Sequence, residues 1–239
     1  MPIGVIVNSL GVLLGGFIGA VLGDKIPERA RTSLPLTAGV ASMAMGVNLI
    51  FKMNTMPAVV LSLIIGSVIG ELIKFESGIE WCAYRIRGPI ERTFSSKGSI
   101  DNQKEFMEKF VGILILFSAS GTGIFGALKE GMTGDYSVLL AKACLDFFVS
   151  GVFATALGFM VLTICVPQFI ILICLFFSAS IILPLTTPEM VADFTACGGM
   201  IMLATGFRIS GIKSFAIANM LPALVLVMPI SHLWTTCVK

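Results

Sequence analysis

Residues 138–184 decide the fold class: they read VLLAKACLDFFVSGVFATALGFMVLTICVPQFIILICLFFSASIILP and contain two charged side chains, Lys142 and Asp146. One membrane crossing by an α-helix takes about 20 predominantly apolar residues. The stretch is therefore long enough for two crossings, divided at the uncharged segment Val166-Pro167-Gln168, where proline favours a turn. A single kinked helix is the alternative, and it would reverse the direction of every span that follows.

The rest of the chain follows the same pattern. Of its 239 residues, 56% are hydrophobic and 13% are charged, whereas about 25% are charged in soluble domains. The charges cluster and leave apolar stretches between them, which indicates that lipid surrounds much of the chain. We predict an all-α polytopic transmembrane helix bundle of seven to eight spans in a single domain, residues 1–239, with spans near 3–22, 35–51, 56–73, 110–128, 138–162, 166–184, 191–207 and 215–234.

The lysines and arginines predict the orientation, since cytoplasmic loops of membrane proteins carry an excess of them. With the N-terminus outside, three inside loops hold twelve of the sixteen basic residues, and three lie outside. We therefore expect a protein of a bacterial inner membrane with both termini external. The inside residues are Lys25, Arg29, Arg31, Lys74, Arg85, Arg87, Arg92, Lys97, Lys104, Lys109, Arg208 and Lys213.

One polar stretch, residues 74–109, is long enough to lie outside the bilayer. Apolar residues recur there at helical spacing from Ile79 to Phe94, with aromatic and basic residues among them. This composition is typical of an amphipathic helix at the cytoplasmic headgroups. We predict a cytoplasmic or interfacial connector, because about 35 residues are too few to build a core of their own.

Glycine spacing predicts where helices pack closely. In the first span, Gly11, Gly15, Gly19 and Gly23 lie four residues apart, so one face lacks side chains and admits another backbone. Asn8 lies near this face, either to hydrogen-bond across a helix interface or as part of a polar path.

A second glycine pattern occurs twice. Gly39 and Gly46 in the second span enclose six residues, as do Gly199 and Gly206 in the seventh, and a polar residue follows two places later in both. The two spans cross in opposite directions, so the pattern fits the inverted repeat that many transporters contain. Chance is the other explanation, since glycine is frequent in membrane helices.

Three polar residues mark one face of the fifth span. Lys142, Asp146 and Ser150 are four residues apart, which places them on one side of a helix. A charged side chain at the centre of a transmembrane helix costs about 2.5–3.5 kcal/mol on insertion scales. We interpret this face as the wall of a substrate or ion path, and a structural ion pair is the alternative.

The fourth span contains a sequence that weakens a helix. Its middle reads Phe117-Ser-Ala-Ser-Gly-Thr-Gly123, and two glycines among hydroxyl groups favour a break. A break inside the bilayer is tolerated where the backbone lines a wet cavity, and a continuous, tightly packed helix is the alternative. We assign to the same path the residues Ser118, Ser120, Gly121, Thr122, Gly123 and, in the last span, Asn219.

The sequence contains no enzyme signature. It has one histidine, His232, and lacks the H-E-x-x-H and G-x-S-x-G motifs. Asp135 and Asp146 make an intramembrane aspartyl protease the best enzymatic rival, but the glycines before Asp135 depart from the G-x-G-D expected there. The six cysteines show no C-x-x-C spacing. We expect no enzyme, no cofactor, no metal site and no binding to nucleic acid.

With these motifs in place, the chain resembles the YdfK/YqgA-like inner-membrane proteins, a bacterial family of unknown function. The resemblance runs in order over nearly the whole chain, although the family often has Asn where this chain has Arg208. It implies a multi-pass inner-membrane protein with a role in transport and no established substrate. The matching positions are Asn8, Gly15, Gly39, Gly46, Gly70, Glu71, Lys142, Asp146, Ser150, Gly158, Gly199, Gly206, Asn219 and Pro222.

The features together favour a transporter or channel for a small solute or ion. The polar face of the fifth span, the break in the fourth and the repeated glycine pattern are the motivating observations. A membrane scaffold or partner subunit, docking through residues 74–109, is the alternative. A homodimer is also expected, because eight short helices form a thin wall and the first span offers a glycine face.

Overall fold

The computed structural model describes residues 1–79, 81, 110, 113–114, 116–118 and 120–237. Within these ranges the chain forms helices joined by turns, and no strand occurs. The predicted all-α bundle is confirmed. The main helices are α1 (Ile3–Leu22), α2 (Glu28–Ile50), α3 (Met56–Leu72), α4 (Gly121–Thr133), α5 (Ser137–Leu157), α6 (Cys165–Ile182), α7 (Pro188–Ile209), α8 (Ile217–Met220) and α9 (Pro222–Cys237), with 3-10 turns at Gly23–Lys25, Gly158–Ile164 and Leu183–Leu185.

Length and composition suit these helices to a bilayer. Large apolar side chains are exposed along them, such as Leu14, Phe17 and Val21 of α1, each more than half exposed. Surface of this kind is stable in lipid rather than in water. The described segments long and apolar enough to cross a membrane are 3–22, 28–50, 137–179, 188–209 and 217–237, and Met56–Leu72 is a shorter apolar helix. The predicted connector, 74–109, lies outside the described residues apart from 74–79 and 81.

The chain reverses direction between α5 and α6 at Gly158. This residue ends α5 with φ +61°, a conformation that favours glycine, and a 3-10 turn follows it. The fifth and sixth spans are therefore separate, as the sequence analysis preferred. The position of the predicted turn was wrong, because Pro167 lies in the first turn of α6, where proline is tolerated in a helix.

The glycine face of α1 packs against the backbone of α5. A Cβ atom added at Gly15 would lie 2.0 Å from the carbonyl oxygen of Phe147, and one at Gly19 would lie 2.0 Å from that of Gly151. Such close approach is available only to glycine, so the two helices meet backbone to backbone. Because the contacting residues advance together along both chains, α1 and α5 run parallel.

Helix directions define two ends of the bundle. The helices α1, α3, α5 and α7 begin at what we call the first end, and α2, α6 and α9 begin at the second end. The helix α4 begins inside the bundle and ends at the first end. The antiparallel relation of α2 and α7 follows from their glycines, since Gly39 contacts Gly206 and Gly46 contacts Gly199. The basic residues that were predicted to lie inside, where they are described, belong to the second end.

The two halves of the chain match at a constant separation of 160 residues. Glu28 begins α2 and Pro188 begins α7, and the glycines at 39 and 46 recur at 199 and 206. A two-fold axis relates the two antiparallel copies of an inverted repeat, and a residue that lies on this axis contacts its own equivalent in the other copy. Ser42 does so, since its Oγ donates to the carbonyl oxygen of Met202, 3.1 Å away and 160 residues later. This arrangement has the form of an inverted repeat of α1–α3 and α6–α9.

Candidate functional site

Four polar side chains from three helices meet in the interior of the bundle. Asp146 of α5 forms an ion pair with Lys142, one helical turn earlier. Its Oδ2 atom also accepts hydrogen bonds from Asn8 of α1 at 2.8 Å and from Gln168 of α6 at 3.1 Å. All four residues are at most 9% exposed. The amide groups thus donate hydrogen bonds to the buried carboxylate, as a buried charge requires.

Asn8 and Gln168 are equivalent positions of the repeat. They are 160 residues apart, and Gln168 Nε2 donates to Asn8 Oδ1 at 2.7 Å. Their contact therefore lies on the same axis as that of Ser42 with Met202. Asp146 lies nine residues into α5, which at 1.5 Å per residue is about 14 Å from its start. That is close to half of a hydrocarbon core of about 30 Å.

The fourth span is broken beside this cluster. Residues 116–118 are helical, Ser120 is extended with φ −65° and ψ 127°, and α4 begins at Gly121. The predicted interruption is therefore present at the place the sequence indicated. Gly123 makes room for the lysine, since a Cβ there would lie 3.0 Å from Lys142 Cε. Gly121 packs instead against Ile201, 2.4 Å from its added Cβ.

A small cavity separates the broken helix from the ion pair. This central cavity has a volume of about 30 Å³, and its polar lining consists of Ser42, Ser120, Thr122, Lys142 and Asp146. A water molecule needs roughly 10–15 Å³ of such volume. The cavity can therefore hold about two waters or one small ion beside Asp146.

Two further cavities lie on either side of the central one, one towards each end of the bundle. The second-end cavity, of about 20 Å³, shares Leu116 and Ser120 with the central cavity and reaches Arg208. The first-end cleft, of about 400 Å³, lies between α2 and α5 and is lined by Asn48 and Ser137. The central cavity therefore borders the second-end cavity, whereas among the described residues it shares no lining residue with the first-end cleft.

An ion pair lines the second-end cavity. Arg208 Nη1 donates to Glu76 Oε1 at 2.8 Å, and the other oxygen of Glu76 accepts from the N–H of Ala218 at 3.2 Å. Asn219 belongs to this group, since its Nδ2 donates to Glu71 at 2.5 Å and its Oδ1 accepts from the N–H of Glu76. Asn219 therefore lies at the second end and away from Asp146, although we predicted that the two residues line the same part of the path.

Buried carboxylates stabilise the first end. Glu130 accepts from the N–H groups of Gly4 at 2.8 Å and Val5 at 3.3 Å, which caps the start of α1. Asp193, fully buried, accepts from the N–H groups of Asn54 and Thr55 just before α3. Both carboxylates bind free N–H groups at helix starts, so they hold the first end together.

Asp135, also at the first end, has a lowered pKa. It pairs with Lys129 at 2.5 Å in the loop before α5. Burial disfavours its ionised form, but hydrogen bonds from Lys129 and Ser137 outweigh burial and hold the pKa of the carboxyl well below its usual range.

Some residues assigned to the path or to packing lie elsewhere. Ser150 Oγ donates to the carbonyl of Phe147 and faces Gly15 of α1, outside the residues that line the cavities. Ser118 is buried and its Oγ has no hydrogen-bond partner. Gly23 ends α1 at φ +48°, and an added Cβ there would meet nothing within 4 Å, so it takes no part in the packing face. The rest of that face is covered by α5, so it is not available for pairing two chains.

Sequence reasoning missed two members of the site. Gln168 was taken as part of a turn, although its distance of 160 residues from Asn8 matches the repeated glycines. Glu76 carried no local signal, because its partner Arg208 is 132 residues away. The constant separation of 160 residues was a signal in the sequence that could have identified Gln168. No such signal existed for Glu76.

Known proteins match nearly the whole chain. Residues 3–232 match the family described as Protein of unknown function (DUF554). "Uncharacterized protein YqgA" of Escherichia coli (strain K12) is 46% identical over 235 residues, which is 98% of both chains. "Uncharacterized membrane protein YdfK" of Bacillus subtilis (strain 168) is 25% identical over 227 residues, 93% of both. No solved structure shows a significant match.

Proposed function

The chain belongs to this family of unknown function, and we propose that it is a transporter or channel for a small ion, with the Lys142–Asp146 pair as the ion site. The observation that carries the proposal is the position of the pair. It lies near half the depth of the membrane, on the axis of the repeat, beside a broken helix and a cavity. Ionisable groups in such positions are costly and usually belong to ion or proton paths.

Symmetry between the two ends supports alternating access to this site. Met45 and Asn48 line the first-end cleft, and their equivalents 160 residues later, Thr205 and Arg208, line the second-end cavity. The two spaces are thus counterparts of very different size, about 400 and 20 Å³. A repeat with one side open and its counterpart closed is what alternating access produces.

The volume of the central cavity favours an ion over a larger solute. About 30 Å³ accommodates a small ion or two waters, whereas pockets for organic ligands measure roughly 300–1,000 Å³. We therefore narrow the expected cargo, which the sequence left as a small solute or an ion, to a small ion.

The direction of the molecule follows from its basic residues. We propose that the second end faces the cytoplasm of a bacterial inner membrane, because twelve of the sixteen lysines and arginines belong to that side in the eight-span arrangement. Both termini are then external and the first-end cleft opens outwards. A reporter fused to the C-terminus tests this directly, and a cytoplasmic signal would refute it.

We make two further proposals. We expect no enzymatic activity, and we expect two copies of the chain to pair through a face other than the glycines of α1. Crosslinking in native membranes tests the pairing. The scaffold alternative has no observation in the described residues that favours it over transport, since most of its docking segment, 82–109, falls outside them.

Ion flux through reconstituted vesicles tests the proposed function. Vesicles containing the full chain are loaded with one salt and diluted into another, and ion release is followed with ion-sensitive dyes and electrodes. We expect release faster than in protein-free vesicles and an altered rate for Asp146→Asn, which removes the charge and keeps the shape.

The matched control is Asp135→Asn, which makes the same change in the ion pair at the first end. It is expected to release ions as the unaltered chain does. Release no faster than from empty vesicles, with every salt tried, would refute ion transport. Equal release by Asp146→Asn and the unaltered chain would remove Asp146 from the mechanism.

A further inference from the structure

The groups around Asp146 are hydrogen-bond donors. Its Oδ2 atom accepts from the ammonium of Lys142 and from the amide NH₂ groups of Asn8 and Gln168, which come from three different helices. A metal cation brought to this oxygen would face N–H groups rather than oxygen ligands. A small anion would instead find the same three donors that the carboxylate now uses.

We propose that these donors form a binding site for a small monovalent anion of the chloride class, occupied in this structure by the carboxylate of Asp146. The anion enters when Asp146 takes up a proton, so one proton and one anion move together. The inference rests on the proposed function and specifies its cargo. In the proton step, the carboxylate oxygen forms an O–H bond with a proton from a hydronium ion, whose own O–H bond breaks to leave a water molecule.

Charge balance explains why a proton and an anion go together. The pair of Lys142 and Asp146 is neutral as a whole, and protonation of Asp146 would leave the ammonium of Lys142 buried without a counter-charge. That state is costly in a low-dielectric interior. An anion that binds beside Lys142 restores neutrality.

No other charged group compensates Lys142 in the described residues around it. The charged side chains on elements packed against α5 lie at the bundle ends: Lys129 pairs with Asp135, Glu130 caps α1, and Lys25, Glu28, Arg29 and Arg31 lie at the second end. The elements that contact Asp146 directly contribute the neutral amides of Asn8 and Gln168.

The site contains an acceptor for the proton that the neutral form would carry. Gln168 is fully buried, and its Oε1 has no hydrogen-bond partner. An ionised carboxylate cannot use this atom, because both are acceptors. Protonated Asp146 is a donor, so its O–H can turn towards Oε1 while Nε2 of Gln168 remains a donor for the anion.

The broken helix adds a second preference for an anion. Ser120 and Thr122 at the start of α4 line the central cavity, and the first turn of a helix carries free N–H groups and partial positive charge. The cavity lies between this helix start and Lys142. An anion there would be close to both.

Coupled flux of chloride and protons tests the inference. Vesicles containing the full chain receive an inward chloride gradient with sodium and potassium equal on both sides, and internal pH and chloride are recorded. We expect chloride uptake that acidifies the interior and is faster at low pH. The same gradient of gluconate, which is too large for the central cavity, is expected to give no acidification.

Two variants separate the roles of the pair. Lys142→Gln is expected to slow chloride uptake about 10- to 100-fold, the factor by which loss of one charged hydrogen bond changes a binding constant, and Lys142→Arg should restore part of it. Asp146→Asn is permanently neutral, so its chloride uptake should no longer depend on pH. Asp135→Asn should keep the pH dependence of the unaltered chain.

Chloride binding to the purified protein can be measured for variants that reconstitute poorly into vesicles. Chloride should raise the unfolding temperature of the purified full chain more at low pH than at high pH, and Lys142→Gln should abolish this difference. Proton movement driven by a sodium or potassium gradient and indifferent to chloride would overturn the inference and leave ion transport standing. Absence of flux for every ion would overturn both.

Discussion

Replacing Gly15 by alanine tests the contact that brings α1 to Asp146. The added Cβ would lie 2.0 Å from the carbonyl oxygen of Phe147 and 2.5 Å from Ser150 Oγ, whereas ordinary contacts are 3.4–4 Å. The backbone of α5 cannot yield as a flexible side chain would. Relief of the clash therefore requires α1 and α5 to separate by more than 1 Å.

The separation has two energetic consequences. Overpacking in a well-packed interior costs about 1–3 kcal/mol. Movement of α1 by about 1 Å also stretches the hydrogen bond from Asn8 to Asp146, now 2.8 Å, beyond useful length, and a hydrogen bond to a charged group contributes about 1.5–3 kcal/mol. We expect Gly15→Ala to destabilise the protein by roughly 2.5–6 kcal/mol.

Thermal unfolding of the purified protein in detergent measures this effect. A change of 1 kcal/mol corresponds to about 2–4 °C for a protein of this size. Gly11→Ala is expected to have a smaller effect, because its added Cβ would lie 2.8 Å from a carbonyl oxygen. Gly78→Ala is the control, since nothing lies within 4 Å of that position. If Gly15→Ala and Gly78→Ala unfold at the same temperature, the backbone contact of α1 with α5 is wrong.

Three more predictions concern carboxylates of the first end. Glu130→Ala removes the acceptor of two N–H groups at the start of α1 and should lower stability by about 2–3 kcal/mol, measured by the same unfolding assay; no change would disprove the cap. Asp193→Ala removes the acceptor for two backbone N–H groups and for the hydroxyl of Ser231, so it should lower the free energy of unfolding by about 2–4 kcal/mol. Protease should then cleave faster near residue 54, and cleavage at an unaltered rate would contradict this. The pKa of Asp135 is lower in the folded protein than in the unfolded chain, where it is about 4, so its ionised form adds stability above that pH. This stability is lost as the pH falls from about 4 towards the lower, folded pKa. Asp135→Asn should therefore flatten the acid side of a plot of unfolding temperature against pH.

Most of the fold could be predicted because apolar length is a local property. The bounds of α1 and α3 agree with the predicted spans, since charges or turn residues stop each run. The end of α5 could not be placed in the same way. Proline is the stronger local signal for a break, yet Pro167 fits the first turn of α6, and the reversal uses the positive φ of Gly158.

Residues that depend on distant partners were harder to predict. The fourth span was expected to stop near residue 128, because Lys129 and Glu130 look like charges at a membrane surface. Both are buried, the first by its pair with Asp135 and the second by the N-terminus of α1, 126 residues away in sequence. A buried charge is read correctly from sequence only when its partner lies within a few residues, as Lys142 does for Asp146.

The position of the ion pair on the repeat axis has a mechanical consequence. When two equivalent halves exchange their arrangements, contacts on the axis change least and contacts far from it change most. Asn8 and Gln168 lie on the axis and hold Asp146, whereas the cleft at Asn48 and the ion pair at Arg208 lie at opposite ends. In the alternating access that we propose, the site would stay intact while access to it changes. By the same symmetry, opening the second end would require the Glu76–Arg208 pair to part, so we expect that pair to act as the gate.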